Sequence, residues 1–224
     1  MTKQRAFAIA AAISWFYLAL SLTLKAFNVY PPLEVLPHAY GDNPDGIAGF
    51  FGRIFDWFSY FTILSNIVVA VVTTMLARSL HRTSTTWSTL RMDSLVMISV
   101  TGLVYAIVLA PAANPQGLEL VTNSLGHYII PALTVVLWLL IGPRKQLRPI
   151  TIFTALIIPI IWAIYTLIRG AIINGYPYGF LNVAEIGLGT AIVNIMGVAV
   201  LGIIIGTIYW VLDKALPQRS GMRK

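Results

Sequence analysis

Long uncharged hydrophobic windows alternate along the chain with short stretches that carry its charged residues. Each window approaches or exceeds the roughly 20 residues that an α-helix needs to cross a ~30 Å hydrocarbon core. Helices are expected here because a helix satisfies its own backbone polar groups in lipid. The pattern predicts an all-α fold, a polytopic integral membrane bundle in which residues 1–224 form one domain. Its six transmembrane helices are predicted at about 6–27, 57–77, 93–111, 122–141, 149–169 and 186–212.

The connections between these windows predict the orientation of the chain. Twelve of the 15 basic residues fall on one side: Lys3, Arg5, Arg78, Arg82, Arg91, Arg144, Lys145, Arg148, Lys214, Arg219, Arg223 and Lys224. Six of the eight acidic residues fall on the other: Glu34, Asp42, Asp45, Asp56, Glu119 and Glu185. The positive-inside rule then places both termini in the cytoplasm and the protein in the cell membrane. The longest connection, about Ala26–Asp56, lies outside, and its end is either a surface amphipathic helix or a plain loop.

Composition agrees with a membrane environment. Hydrophobic residues make up 58% of the chain and charged residues 10%, whereas a soluble domain carries about 25% charged residues. The net charge of +7 comes without a nucleic-acid-binding motif, so the predicted partners are membrane lipids and not nucleic acid. Because cysteine is absent, thiol nucleophiles and disulfides are excluded. The sequence does not indicate an oligomeric state.

The first window reads as an uncleaved helix. Its uncharged run, Ala6–Leu24, is 19 residues long, which exceeds the 7–15 residues of a signal-peptide core.

Polar side chains in the spans fall on one helical face in each, as expected for groups that point into a bundle or a cavity. The second predicted span carries Ser59, Thr62, Asn66 and Thr73 on one face, and the fourth carries Asn123, His127, Thr134 and Trp138. Counted from Asp56 and Thr122, Thr62 and His127 lie at a similar depth of roughly 9 Å. A hydroxyl and an imidazole are therefore expected to meet.

Pro131 adds to the interest of His127. Proline has no N–H to bond the carbonyl four residues earlier, so the helix is expected to loosen at this imidazole.

Ordinary interpretations stay open beside the chemical one. A membrane threonine commonly donates to the carbonyl one turn back, and a membrane histidine often bonds a neighbouring helix. Gly202 and Gly206 form a close-packing motif, for packing within the chain or between two copies.

Motifs of several enzyme classes are missing. The chain has no Walker A sequence, no dinucleotide glycine fingerprint, no His-Glu-x-x-His and no Gly-x-Ser-x-Gly elbow. The uncharged windows contain no acidic pair for an aspartyl intramembrane protease.

Three segments of the chain resemble a known family. They are Trp57-Phe-Ser-Tyr-Phe-Thr-Ile-Leu-Ser-Asn66, His127-Tyr-Ile-Ile-Pro131 with Trp138, and Tyr176-Pro-Tyr-Gly-Phe-Leu-Asn-Val183. Together with helix number and order, they resemble the bacterial six-helix membrane family Pr6Pr, which is similar to the eukaryotic androgen-induced-gene family of lipid hydrolases. The resemblance implies hydrolysis of fatty-acid esters by a membrane threonine and histidine, here Thr62 and His127, without a metal or organic cofactor.

The sequence therefore yields one main hypothesis and two alternatives. The main one is a threonine-type hydrolase of a small lipid ester, with Thr62 as nucleophile and His127 as base. The residues predicted to contact substrate are Asn66, as an oxyanion donor, with Asn123, Trp138 and Arg169. The alternatives are a carrier or channel for a small lipid or solute, and a lipid-binding scaffold.

Overall fold

The computed structural model describes residues 2–29 and 37–217. Within these ranges, six helices are long and apolar enough to cross a membrane. They are Lys3–Ala26, Phe61–Arg78, Thr85–Ala112, Gly117–Ile141, Ile150–Ile173 and Val183–Ala215. The all-α fold with six spans is therefore confirmed for the described residues, whereas the cytoplasmic placement of the termini stays a prediction. Glu34 and the basic residues after 217, which entered that prediction, lie outside the described residues.

Several spans contain more than one regular helix. The helices are α1 Lys3–Ala26, α2 Phe50–Ser59, α3 Phe61–Arg78, α4 Thr85–Val104, α5 Gly117–Ser124, α6 Ile130–Ile141, α7 Ile150–Thr154, α8 Ile157–Ile173 and α9 Val183–Ala215. A π-helical turn, Tyr105–Leu109, extends α4, and a second one, Leu125–Ile129, joins α5 to α6. Helix α9 is interrupted at Gly187, whose φ of 76° is left-handed and suits glycine because it has no Cβ.

Helix α4 is the centre of the bundle. It packs against α3, α6 and α9, and α1 lies along α3. The side chains of Met92, Met97 and Ile98 on α4 are fully buried. A Cβ added at Gly206 would lie 3.5 Å from both Val96 on α4 and Ile152 on α7. The small-residue motif of α9 therefore packs within the chain, which is one of its two expected roles.

The second predicted span is wrong at its start. Tyr60 has extended backbone, with φ −76° and ψ 132°, so the chain turns between α2 and α3. Trp57 and Ser59 consequently belong to α2, and the predicted count from Asp56 to Thr62 does not follow one continuous helix. Thr62 is instead the second residue of α3.

Helix α2 is an amphipathic helix, one of the two structures predicted for this segment. It exposes Phe51, Phe55 and Phe58 on one face, while Arg53 and Asp56 are buried on the other. Such a helix is suited to lie in a membrane interface with its aromatic face towards lipid.

The third span begins eight residues before its predicted start. The hydroxyl of Ser84 accepts a hydrogen bond from the N–H of Trp87 at 3.1 Å and caps α4. Arg91 is thereby carried into the bundle, where it donates to the Gln146 side chain at 2.7 Å and the Pro143 carbonyl at 3.1 Å. These hydrogen bonds compensate for burying the charge of Arg91. The predicted span had left this segment out because the segment carries a charge.

Residues 37–60 and 174–182 pack together over one end of the bundle, and we call them the cap. The Tyr40 N–H donates to the carbonyl of Tyr176 at 3.1 Å, and the Tyr176 N–H donates to His38 at 2.8 Å. Asp56 on α2 forms an ion pair of 2.6 Å with Arg169 on α8. The cap therefore fixes the starts of α3 and α9 relative to each other.

Thiol labelling can test the predicted orientation, because the chain has no native cysteine. Asp45 and Thr83 are exposed and flank α3 at opposite ends. We expect a membrane-impermeant maleimide to label Asp45→Cys in intact cells, and to label Thr83→Cys only after the membrane is opened. Detergent-solubilised protein provides the control, since both variants should then react. Labelling of Thr83→Cys alone in intact cells would contradict the predicted orientation.

Candidate active site

Thr62 and His127 meet at the cap end of the bundle. The Thr62 Oγ1 atom lies 3.1 Å from the His127 Nε2 atom, within the range of a hydrogen bond. The two residues come from different spans, α3 and the π-helical turn between α5 and α6. Thr62 is buried, and His127 is partly buried beside it.

The second nitrogen of His127 defines the direction of this hydrogen bond. The Nδ1 atom lies 3.2 Å from the backbone carbonyl of Asn123, and a carbonyl only accepts. In neutral imidazole, Nδ1 therefore carries the proton and Nε2 is the acceptor. The Thr62 hydroxyl donates to Nε2, which is the arrangement that a nucleophile and its general base require.

Thr62 differs from three other buried hydroxyls of the spans. Ser14, Thr73 and Thr134 each donate to the carbonyl four residues earlier, at 2.7–2.9 Å. Thr62 lies in the first turn of α3, where no carbonyl of its own helix is available four residues back. Its position therefore leaves the hydroxyl for His127, and the ordinary backbone-bonded interpretation does not describe it.

Two π-helical turns shape the surroundings of His127. Both end two residues before a proline, Pro111 in one span and Pro131 in the other. The expected loosening of the helix at His127 thus takes the form of a wider turn. The first residue of the other turn, Tyr105, stacks on the imidazole with 3.9 Å between ring centroids and 19° between planes. Single π-turns of this kind are often found at functional sites.

The start of α3 adds hydrogen-bond donors to the pair. The Tyr178 hydroxyl from the cap lies 3.4 Å from both the backbone nitrogen and the Oγ1 of Thr62. It also faces the backbone N–H of Phe61. The first N–H groups of a helix have no partner within the helix and attract negative charge. Burial raises the pKa of Tyr178, so its phenol keeps its proton at neutral pH.

A cavity extends from this cluster into the bundle. It comprises about 870 Å³ of space between atoms, including the part that opens to the surroundings. Its polar lining is confined to six residues, Thr62, Thr101, Tyr105, His127, Trp162 and Tyr178, and its other lining side chains are apolar. A pocket that is apolar except for a few converging polar groups is typical of a small-molecule site.

Asn66 and Asn123 lie close to the pair but bond elsewhere. The Asn66 amide donates to the carbonyls of Thr62, at 2.7 Å, and Gly126, at 3.3 Å. It is fully buried, so its donors are committed to backbone and are not free for an oxyanion. The Asn123 side chain donates to the Tyr105 hydroxyl at 2.6 Å. The backbone carbonyl of Asn123 orients His127. Both residues therefore position the pair and do not line the cavity.

The structure does not bring Trp138 and Arg169 to this cavity. Trp138 packs edge-on against Tyr209, and the Arg144 guanidinium lies 4.6 Å from its ring centroid. Arg169 pairs with Asp56 and lies over the Tyr40 ring at 4.3 Å. Trp138 thus packs within the bundle and Arg169 pairs with Asp56 of the cap, and their contacts with substrate stay a prediction.

Sequence reasoning assigned no role at the site to Tyr178 and Tyr105. Signals for both were present in the sequence. Tyr178 lies within the third segment that carries the family resemblance, and Tyr105 precedes Pro111 by the same six residues that separate Leu125 from Pro131.

Comparisons with models of protein families, with curated proteins and with solved structures find no match for this chain. The resemblance to Pr6Pr and to the eukaryotic lipid hydrolases therefore stays a prediction.

Gly126 tests how tightly the His127 turn is held. A Cβ added at this glycine would lie 2.5 Å from the hydroxyl oxygen of Tyr17, whose side chain is buried on α1. We expect Gly126→Ala to lower the free energy of unfolding by about 1–3 kcal/mol, because overpacking forces neighbours to move. Thermal unfolding in detergent measures this. Gly189→Ala is the control, since no atom lies within 4 Å of its added Cβ, and equal melting of the two variants would contradict the expectation.

Proposed function

We propose that this protein is a membrane threonine hydrolase that cleaves fatty acyl esters. The observation that carries the proposal is the hydrogen bond between Thr62 and the unprotonated nitrogen of His127, at the polar end of an apolar cavity. The family resemblance of the sequence supports the same chemistry.

The proposed reaction begins with the Thr62 hydroxyl. Its oxygen attacks the ester carbonyl carbon while its proton passes to Nε2 of His127. The Nδ1–H of the resulting imidazolium donates to the Asn123 carbonyl, the position that a carboxylate takes in the serine hydrolase triad. The C–O bond of the leaving alcohol then breaks, and His127 returns the proton to that oxygen. Water, deprotonated by His127, then attacks the acyl carbonyl carbon. The bond from that carbon to the Thr62 oxygen breaks, His127 returns the proton to Thr62, and the fatty acid leaves.

Negative charge on the tetrahedral oxygen needs donors already in place. The structure offers the N–H groups of Phe61 and Thr62 at the start of α3, together with the Tyr178 hydroxyl. A substrate carbonyl that displaces the Tyr178 hydroxyl would accept hydrogen bonds from these two N–H groups. Tyr178 would remain beside it. This set replaces Asn66 as the proposed oxyanion donor.

A carrier would use the same cavity without turnover, and this second candidate rests on the cavity alone. Lipid flux in proteoliposomes that survives loss of Thr62 would favour it. The scaffold alternative gains no surface from Gly202 and Gly206, because these glycines face α4 and its neighbours.

Loss of either member of the pair tests the hydrolase. We expect Thr62→Ala and His127→Ala to reduce hydrolysis of a fatty acyl ester by about 10²–10⁴-fold or more, and to abolish labelling by a fluorophosphonate. Thr73→Ala is a matched control, because Thr73 is on the same helix, equally buried, and bonded to its own backbone. Turnover and labelling that persist in both site variants would eliminate the proposal.

The role of Tyr178 gives an independent prediction. We expect Tyr178→Phe to lower kcat by about 10²–10³-fold, as loss of one oxyanion donor does, with a smaller change in KM. Steady-state kinetics with a soluble short-chain ester separate the two constants. Tyr128→Phe is the control, since Tyr128 is exposed and meets the Tyr105 ring edge-on. A change in KM without a change in kcat would assign Tyr178 to ground-state binding.

A further inference from the structure

The apolar part of the cavity has a defined deep end. Beyond the Thr62–His127 pair, its lining follows α4 from Tyr105 back to Val96. That distance corresponds to about 13 Å, at 1.5 Å per helical residue. On the opposite wall, the lining follows α9 from Ile195 to Gly202. The cavity is therefore an elongated slot, with Thr62, Tyr105, His127 and Tyr178 at the cap end.

Val96, Leu156 and Gly202 lie together at the end of the slot farthest from the Thr62–His127 pair. A Cβ added at Gly202 would lie 3.4 Å from Leu156 and 3.6 Å from Val96, which are ordinary contact distances. Glycine at this position leaves the space between the three residues open, whereas a longer side chain must extend into it. One turn nearer the pair, Ala199 also lines the slot with a small side chain.

We infer that the slot holds the acyl chain of the ester and that Gly202, with Val96 and Leu156, determines the longest chain accepted. The inference rests on the proposed function and adds residues that select the substrate. Its physical basis is burial. An acyl chain gains about 0.8 kcal/mol for each CH₂ removed from water, but only up to the point where the slot ends.

Side chains placed in the slot test the inference. Purified wild type, Gly202→Leu and Ala199→Leu are assayed with p-nitrophenyl butyrate, octanoate and palmitate. We expect Gly202→Leu to lower the ratio of kcat/KM for palmitate over butyrate by roughly tenfold, the value of about two lost CH₂ contacts. Ala199→Leu should also lower the ratio of kcat/KM for octanoate over butyrate, because residue 199 lies nearer the reacting atoms.

The control is Gly197→Leu. Gly197 is exposed on the same helix, and no atom lies within 4 Å of its added Cβ, so the same substitution there points away from the slot. It should keep the wild-type ratios. Ratios that stay unchanged in Gly202→Leu and Ala199→Leu, or rates that fall equally for all three esters, would overturn the inference.

A binding measurement separates this inference from the proposed function. Native mass spectrometry of the detergent-solubilised protein with butyrate, octanoate or palmitate reports occupancy of the slot without turnover. If wild type hydrolyses none of the esters but Gly202→Leu still loses palmitate binding selectively, the hydrolase proposal fails and the slot assignment stands. If wild type and Gly202→Leu bind palmitate equally, the slot assignment fails whatever the activity.

Discussion

The geometry of the candidate site depends on a backbone donor that is missing at Pro131. A regular helix through this region would bond the amide of residue 131 to the carbonyl of His127, and proline prevents it. The chain widens into a π-helical turn from Leu125 to Ile129, and within it the imidazole bonds the Asn123 carbonyl through Nδ1. That bond leaves Nε2 as an acceptor for Thr62. The hydrogen-bond geometry of the pair thus follows from the covalent structure of one residue four positions away.

Much of the fold could be predicted because lipid imposes two simple requirements, length and apolarity, on each span. The ends of the spans were harder, because uncharged windows treat every charge as a boundary. Arg91 shows why this criterion fails. Its charge lies inside α4, where hydrogen bonds to Gln146 and Pro143 compensate for its burial. The break at Tyr60 was missed for a different reason. Ser59 and Phe61, on either side of Tyr60, are compatible with one continuous helix. The packing of α2 in the cap separates α2 from α3.

The site was predicted best where one local rule decided the geometry. The pairing of Thr62 with His127 needed only that two polar faces point inward at a similar level. The helical wheel, however, assumed a constant number of residues per turn. The π-helical turn adds a residue between His127 and Trp138, so the two side chains do not keep the angular relation that the wheel assumed. Asn66 was placed correctly beneath Thr62, but the wheel carries no information about which acceptor an amide chooses. The two backbone N–H groups of the proposed oxyanion site could not be predicted, because every residue except proline carries such a group.

The ion pair between Asp56 of the cap and Arg169 on α8 joins segments that are far apart in the chain. Asp56 accepts hydrogen bonds from Asn43 and Arg169, and the same arginine lies over the Tyr40 ring. Loss of one partner leaves the others with uncompensated polar groups, a larger penalty than losing all of them together. In a set of divergent relatives, positions 40, 43, 56 and 169 are therefore expected to covary, so that an alignment column carrying a neutral residue at 56 also carries one at 169.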